Sequence, residues 1–146
     1  MVDVTTESVI NRQVGEVAAF AADPSNAPAW YVNIESITWE TEARVEVGAR
    51  AAFEAQFLGK KLSYVYEITE YIPGERLVMR TAQGPFPMET TYTWNATPDG
   101  ATRMTLRNRG EPSGFSRITA PIMARAMRRA NNSDLARLKA LLEDPG

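Results

Sequence analysis

The chain contains no cysteine and no histidine. Without cysteine there is no disulfide, no thiolate nucleophile and no cysteine metal site, a usage that fits a reducing cytoplasm as the expected location. Without histidine the commonest general base and the commonest metal ligand are missing. A Ser-His-Asp triad and a histidine-ligated zinc hydrolase are thereby excluded, and neither metal nor cofactor is expected. No apolar run approaches the roughly 20 residues that cross a bilayer. The first residues carry neither the basic region nor the apolar stretch of a secretory signal. A strong charge of one sign is lacking too: 16 basic against 18 acidic residues leave a net charge of −2, so no bulk attraction to nucleic acid is expected.

What is present, over 146 residues, reads as one domain spanning 1–146, long enough to bury a real core. The order of patterns is the main signal. Residues 2–10 mix β-branched and polar side chains as a first strand. Val14, Val17, Ala18 and Ala21 then recur at helical spacing, and Asp23-Pro24-Ser25-Asn26 supplies turn chemistry before a second short helix or bend at 27–31. From 34 to 109 period-two alternation dominates, broken by turn signals at Gly48, Leu58-Gly59-Lys60-Lys61, Pro73-Gly74, Gly84-Pro85-Phe86-Pro87 and Thr97-Pro98-Asp99-Gly100. The spacing predicts an antiparallel meander, its first strand over 34–45.

After Glu111-Pro112-Ser113-Gly114 the period changes to that of a helix. Phe115, Ile118, Ile122, Ala126, Ala130, Leu135, Leu138 and Leu142 fall on one stripe, flanked by Met123, Met127 and Leu141. Thr119 suits an N-cap with Pro121 in the first turn; a start near Phe115 would instead place a kink at Pro121. From 120 to 142 such a helix is roughly 35 Å long. A curved sheet crossed by one helix does not easily fill its own concave face, so a ligand-holding cavity is expected.

This order resembles the helix-grip fold of the START-like, or Bet v 1-like, superfamily, also called the SRPBCC or polyketide cyclase/dehydrase group. The resemblance spans nearly the whole chain. It is carried by Asp23-Pro24 with nearby Trp30, by Val47-Gly48-Ala49-Arg50, by the segment from Tyr66 to Leu77 around Pro73-Gly74, by Gly100-Ala101-Thr102-Arg103-Met104-Thr105, and by the helix end at 135–143. It implies an α+β fold of about seven antiparallel strands wrapped on one long C-terminal helix, with two short helices after the first strand. It also implies a cavity for hydrophobic or amphipathic molecules such as lipids or polyketides, and cyclase or aromatase activity in a minority of members.

Alternation predicts which side chains face that cavity. On the strands they are Phe53, Phe57, Leu62, Tyr64, Tyr66, Leu77, Met79, Met88, Thr90, Tyr92, Met104, Leu106 and Asn108; on the helix, Ile118, Ile122, Met123, Ala126 and Met127. The ligand-binding set drawn from these is Phe53, Phe57, Tyr64, Tyr66, Met79, Met88, Thr90, Tyr92, Met104, Asn108, Ile122, Met123 and Ala126. An apolar, aromatic wall with a few polar points is the usual make-up of a small-molecule pocket. Each of these residues can equally be plain core, Trp94 and Leu106 above all, and Trp30 and Trp39 read as anchors of helix on sheet. The tyrosine hydroxyls either satisfy one another or the backbone, or orient a ligand oxygen. Glu89 and Arg107 fall in the outward register, where only a slip or bulge would turn them inward.

Between 101 and 140 nine Lys or Arg stand against two Asp or Glu. That excess is a solvated face paired with the acidic N-terminal half, or else a site for an anionic partner. Three functions remain. The first is a cytoplasmic protein, monomer or homodimer, holding a hydrophobic or aromatic small molecule between sheet and helix. The second is a cyclase, aromatase or dehydratase using Tyr or Arg. The third is a protein-interaction module.

Overall fold

The computed structural model describes residues 2–111 and 119–144. The elements run β1 (Val2–Ile10), α1 (Val14–Ala22), a 3₁₀ turn (Pro24–Asn26), α2 (Ala27–Trp30), β2 (Ile34–Trp39), β3 (Arg50–Phe57), β4 (Lys60–Ile72), β5 (Arg76–Gln83), β6 (Met88–Ala96), β7 (Thr102–Gly110) and α3 (Ala120–Glu143). The seven strands form one sheet in the order β1-β7-β6-β5-β4-β3-β2, antiparallel throughout. The first strand thus pairs with the last, and α1 and α2 carry the chain from one sheet edge to the other. The sheet curls around α3, which is the helix-grip arrangement that the element order predicts.

β2 stops at Trp39, not at 45. The next residues are exposed charges that satisfy one another locally. Arg44 pairs with Glu42 at 3.3 Å and with Glu46 at 3.8 Å. Gly48 then turns the chain at φ +93°, a conformation that favours glycine. Val45 packs back on the core from this stretch, but the charged run around it has no alternating apolar face to hold it on the sheet.

The inward register follows the alternation over most of the meander. Phe53 faces Tyr64, Met79 faces Thr90, Thr90 faces Asn108, and Tyr92 lies between Leu77 and Leu106. One departure is a bulge in β4 between Ile68 and Glu70. Thr69 is the extra residue, so the inward parity changes from Tyr64, Tyr66 and Ile68 to Tyr71, which packs on the core. On the opposite face Arg80, Glu89, Arg109 and Asp3 stand side by side across β5, β6, β7 and β1. Arg80 meets Glu89 at 2.5 Å, Arg109 approaches Glu89 at 3.6 Å, and Arg107 meets Asp3 at 2.6 Å. Glu89 and Arg107 are therefore outward ion-pair partners.

α3 lies along the edge strand β1. Arg128 Nη1 donates to the Thr5 carbonyl at 3.1 Å, and Lys139 Nζ donates to the Val9 carbonyl at 2.7 Å and pairs with Glu143 at 2.6 Å. Part of the basic excess of this helix thus covers a strand edge whose carbonyls have no strand partner. Thr119 holds the N-cap position without a capping side-chain bond, and Pro121 occupies the first turn. The alternative start near Phe115, and Ile118 with it, lie outside the described residues.

The inward seam of α3 runs Met123, Met127, Asn131, Asp134, Leu135 and Leu138. The expected stripe agrees with this seam at Leu135 and Leu138 and is rotated from it by about one residue in the first half of the helix. Ile122 is exposed (59%), as is Leu141, and Ala126 is only half-buried. The cause is polarity: two inward positions are held by Asn131 and Asp134, 4% and 2% exposed, and a stripe drawn through apolar residues alone swings away from them.

Among the described residues the interior forms two apolar clusters. The larger joins Trp30, Trp94, Leu106, Met104, Leu77, Leu135 and Leu138 with the small residues of α1. The smaller joins Val2, Val4, Leu62, Phe86 and Met123. Tyr64 and Met88 touch both.

Candidate functional site

A half-enclosed cavity of about 140 Å³ lies between the clusters, bounded by β3 to β7, the segment from α1 to β2, and the middle of α3. Nine of the expected ligand-binding residues line it: Phe53, Phe57, Tyr64, Tyr66, Met79, Met88, Thr90, Tyr92 and Asn108. Four do not. Met104 is fully buried in the larger cluster opposite Trp94; it stands four residues along β7 from Asn108, roughly 13 Å at strand rise. Met123 is sealed against Val2, Val4, Leu62 and Phe86. Ile122 and Ala126 line a separate surface groove with Arg125 and Arg129, because the helix is rotated as described.

The aromatic wall is set by cross-strand registry. Phe53 and Tyr64 stack at 5.4 Å, and Tyr64 meets Tyr66 edge-on at 5.0 Å. Gly84 permits the close return of the chain beside this wall. A Cβ there would lie 3.0 Å from the Cβ of Tyr64 and 3.0 Å from the Cγ2 of Thr81. Phe86, a little further along, is buried and also lines the cavity.

Two polar systems interrupt the apolar lining. The first is a directed chain. Thr90 Oγ1 donates to Asn108 Oδ1 at 2.5 Å, which uses its only proton, so the Tyr66 hydroxyl is the donor in the 2.7 Å bond to Thr90. Asn108 Nδ2 donates to Asn131 Oδ1 at 3.1 Å. The chain ends at Asn131 Nδ2, which is buried and has no hydrogen-bond partner. The second system is the 2.5 Å bond between the hydroxyls of Tyr31 and Tyr92, set beside Trp30 at ring distances of 4.3 and 5.7 Å.

Asp134, one helical turn beyond Asn131, borders the same cavity. One of its oxygens, Oδ1, accepts from the Val32 backbone N–H at 2.8 Å and so ties α3 to the chain leaving α2. Burial raises its carboxyl to about 6, against the lowering influences of the Val32 bond and Arg137. Burial also raises all four cavity tyrosines, Tyr66 to about 12 and Tyr31, Tyr64 and Tyr92 well above the ordinary phenol value. Their hydroxyls stay protonated throughout the physiological range. The Tyr64 hydroxyl makes no hydrogen bond among the described residues.

Sequence reasoning missed Tyr31, Phe86, Asn131 and Asp134. A usable signal existed for the last, which is one of only two acids in the basic stretch from 101 to 140.

A curled seven-strand sheet gripping one helix, with an apolar cavity between them, defines a START-like helix-grip protein. The chain belongs to the family described as polyketide cyclase / dehydrase and lipid transport, which matches residues 1–143. It is similar in fold to a START superfamily protein of Mycobacterium smegmatis (TM-score 0.81, 11% identity, 97% of each chain covered). It is similar also to the Zhui aromatase/cyclase of Streptomyces sp. R1128 (TM-score 0.77, 13% identity, 97% of this chain and 93% of that one). A third likeness is to major latex-like protein 151 of Panax ginseng (TM-score 0.76, 13% identity, 97% of each chain). No curated protein sequence matches it.

Proposed function

We propose that the protein binds a small hydrophobic or aromatic molecule in the cavity between its sheet and α3. The observation that carries this reading is the lining itself: Phe53, Phe57, Leu62, Tyr64, Met79 and Met88, drawn from both apolar clusters, surround an unfilled space where the two meet. Protein interiors are close-packed, and a void forfeits contacts on one side of every lining atom. A ligand restores those contacts and adds roughly 25 cal/mol for each Å² of apolar surface removed from water. Volume supports a small occupant. A cavity of about 150 Å³ holds one benzene ring, close to the size here, whereas drug-sized ligands occupy about 300 Å³ or more. A single ring therefore fits this cavity better than a lipid or a full polyketide chain does.

The test is native mass spectrometry of the protein purified from its own host, with identification of any bound molecule, alongside the variant Ala55→Phe, which fills the cavity from β3. A 1:1 apolar ligand held by the native chain and lost from the variant supports the reading. The same ligand retained at equal stoichiometry by the variant would place it elsewhere and overturn it.

A second reading is favoured by one observation. Asp134, raised to about 6, borders the cavity with four tyrosines, and a carboxyl poised near neutrality is suited to moving a proton. On that reading the cavity orients a reactive ring or chain and Asp134 takes its proton, a cyclase- or dehydratase-type activity. Turnover of a bound compound, abolished by Asp134→Asn with binding retained, is its measurement.

A further inference from the structure

Resting on the small-ligand reading, we propose that Asp134, Asn131 and Tyr64 form a hydroxyl-recognition subsite, and that the ligand is a small aromatic ring bearing a hydroxyl group. Three features border the same cavity, two on α3 and one on the sheet across from it. Asp134 is 2% exposed and uses one oxygen, Oδ1, on the Val32 N–H; the other oxygen has no hydrogen bond among the described residues. Asn131 is 4% exposed, and its Nδ2 has no partner. The Tyr64 hydroxyl is likewise unengaged among the described residues. All three residues line the same space.

These groups are unequal, and the inequality selects the ligand. A buried polar group without a partner costs about 1–3 kcal/mol, more when charged. A solid core would have replaced them with leucine, as it does at Leu135 and Leu138 on the same helix. The chain from Tyr66 through Thr90 and Asn108 fixes the Asn131 amide with its oxygen occupied and its N–H₂ left over. The subsite thus presents an acceptor, Asp134, beside two donors, Asn131 Nδ2 and Tyr64 O–H. A hydroxyl satisfies both kinds: its proton goes to the carboxylate and its lone pairs accept from the amide or the phenol. A protonated amine pairs with Asp134 but has no lone pair for the donors. A carboxylate ligand matches the donors but meets the Asp134 charge. A plain hydrocarbon leaves all three unmet.

The preference is tied to pH. With Asp134 raised to about 6, the carboxylate that accepts the ligand proton predominates above pH 6 and is lost below it. The other ionisable lining groups are Tyr31, Tyr64, Tyr66 and Tyr92, which stay protonated, with Asp23 and Arg109 completing the lining. Arg137 on α3 lowers the Asp134 carboxyl through its nearby charge.

The experiment titrates the full chain with four single-ring probes, phenol, benzene, benzylamine and benzoate, by calorimetry and ligand-observed NMR at pH 5 and pH 8. Asp134→Asn, isosteric and free of the charge, is measured in parallel. At pH 8 phenol is expected to bind roughly tenfold more tightly than benzene, the worth of one hydrogen bond to a charged group. That ratio should fall below about threefold at pH 5 and in Asp134→Asn, while benzene binding to the variant is maintained. If phenol and benzene bind alike at pH 8, the cavity reading stands and the subsite falls. If phenol keeps its advantage at pH 5 and in Asp134→Asn, the hydroxyl is read elsewhere and the subsite falls as well. Preference for benzylamine or benzoate overturns the ligand class. Failure of all four probes to bind overturns the cavity reading together with the subsite.

Discussion

The two halves of the interior are built on the same helix and the same strands, yet one is solid and the other hollow. In the solid half Leu135 and Leu138 of α3 meet Trp30, Trp94, Leu106 and Met104, none more than 2% exposed. In the hollow half the same helix presents Asn131 and Asp134 to tyrosines, a threonine and an asparagine. The sheet does not change character between them; the registry that sets Tyr92 opposite Leu106 also sets Thr90 opposite Asn108 one step further on. The difference lies in residue choice at successive inward positions. The packed end leaves the indole N–H groups of Trp30 and Trp94 without a partner among the described residues, and the other end leaves Asn131 Nδ2, which shares a cavity with a carboxylate and tyrosine hydroxyls. Sites for ligands carry such costs because a partly satisfied polar wall is what gives a cavity specificity.

The largest effect should come from breaking the solid half. Leu138→Ala removes a fully buried side chain from a packed cluster and should cost about 4 kcal/mol in urea unfolding. Met88→Ala, at a half-buried position bordering the cavity, should cost about 2 kcal/mol or less, because part of its surface already faces empty space. Equal losses at the two positions would mean that the halves do not differ in packing.

Next in size is Asp134→Asn, and its effect depends on pH. The folded-state carboxyl is raised from 3.8 to about 6. The stability due to its protonated form is fully present below about pH 4 and is lost as pH rises through 6. A shift of that size corresponds to about 3 kcal/mol. Replacing the carboxyl by an amide removes the loss, so the variant should exceed the native protein in stability by up to about 3 kcal/mol at pH 8 and match it near pH 4. Unfolding curves at the two pH values measure it; a variant less stable at pH 8 would show that the ionised carboxyl is a net asset to the empty fold.

Enlarging alanines compares the halves from the opposite direction. Ala18 of α1 is buried in the packed cluster, and Ala18→Leu should cost about 1–3 kcal/mol through overpacking. Ala55 borders the cavity, so Ala55→Leu grows into open space. It should cost under about 1 kcal/mol and abolish binding of a single-ring probe. Thermal unfolding of the pair, with a benzene titration of Ala55→Leu, distinguishes a hollow interior from a filled one.

The sequence made this architecture readable where side chains obey one period. Residues 50–57 and 102–107 alternate because one face is buried and the other carries cross-strand ion pairs such as Arg50 with Glu67 and Arg107 with Asp3. Nine wall residues followed from that period. It failed where a local event overrides periodicity. The bulge at Thr69 reverses parity without any marker in residue type, and β2 ends early because Glu42, Arg44 and Glu46 satisfy one another. The helix face was misjudged for a deeper reason. A stripe drawn through apolar residues assumes that what faces inward is apolar, and the buried Asn131 and Asp134 break that assumption. Sites are where local rules fail, so the residues hardest to place from pattern were those of most interest.

The smallest expected effect is the sharpest probe of the hollow half. Tyr64 and Tyr66 are neighbours on one strand face, both in an aromatic wall, and each can be changed to phenylalanine at the cost of one oxygen. The Tyr66 hydroxyl donates to Thr90 and begins the chain that orients Asn108 and Asn131. Its removal strands the Thr90 acceptor and should cost about 1 kcal/mol or more. The Tyr64 hydroxyl has no such bond, so Tyr64→Phe should leave stability within about 0.5 kcal/mol of the native chain. Binding should show a different pattern. Tyr64→Phe deletes a donor that the empty protein does not use, so benzene affinity stays constant while the advantage of phenol over benzene shrinks. A hydroxyl that is silent in folding but heard in ligand discrimination belongs to a site. If both variants lose stability equally and neither alters discrimination, Tyr64 is core like its neighbours, and the hollow half is a packing defect without a recognition role.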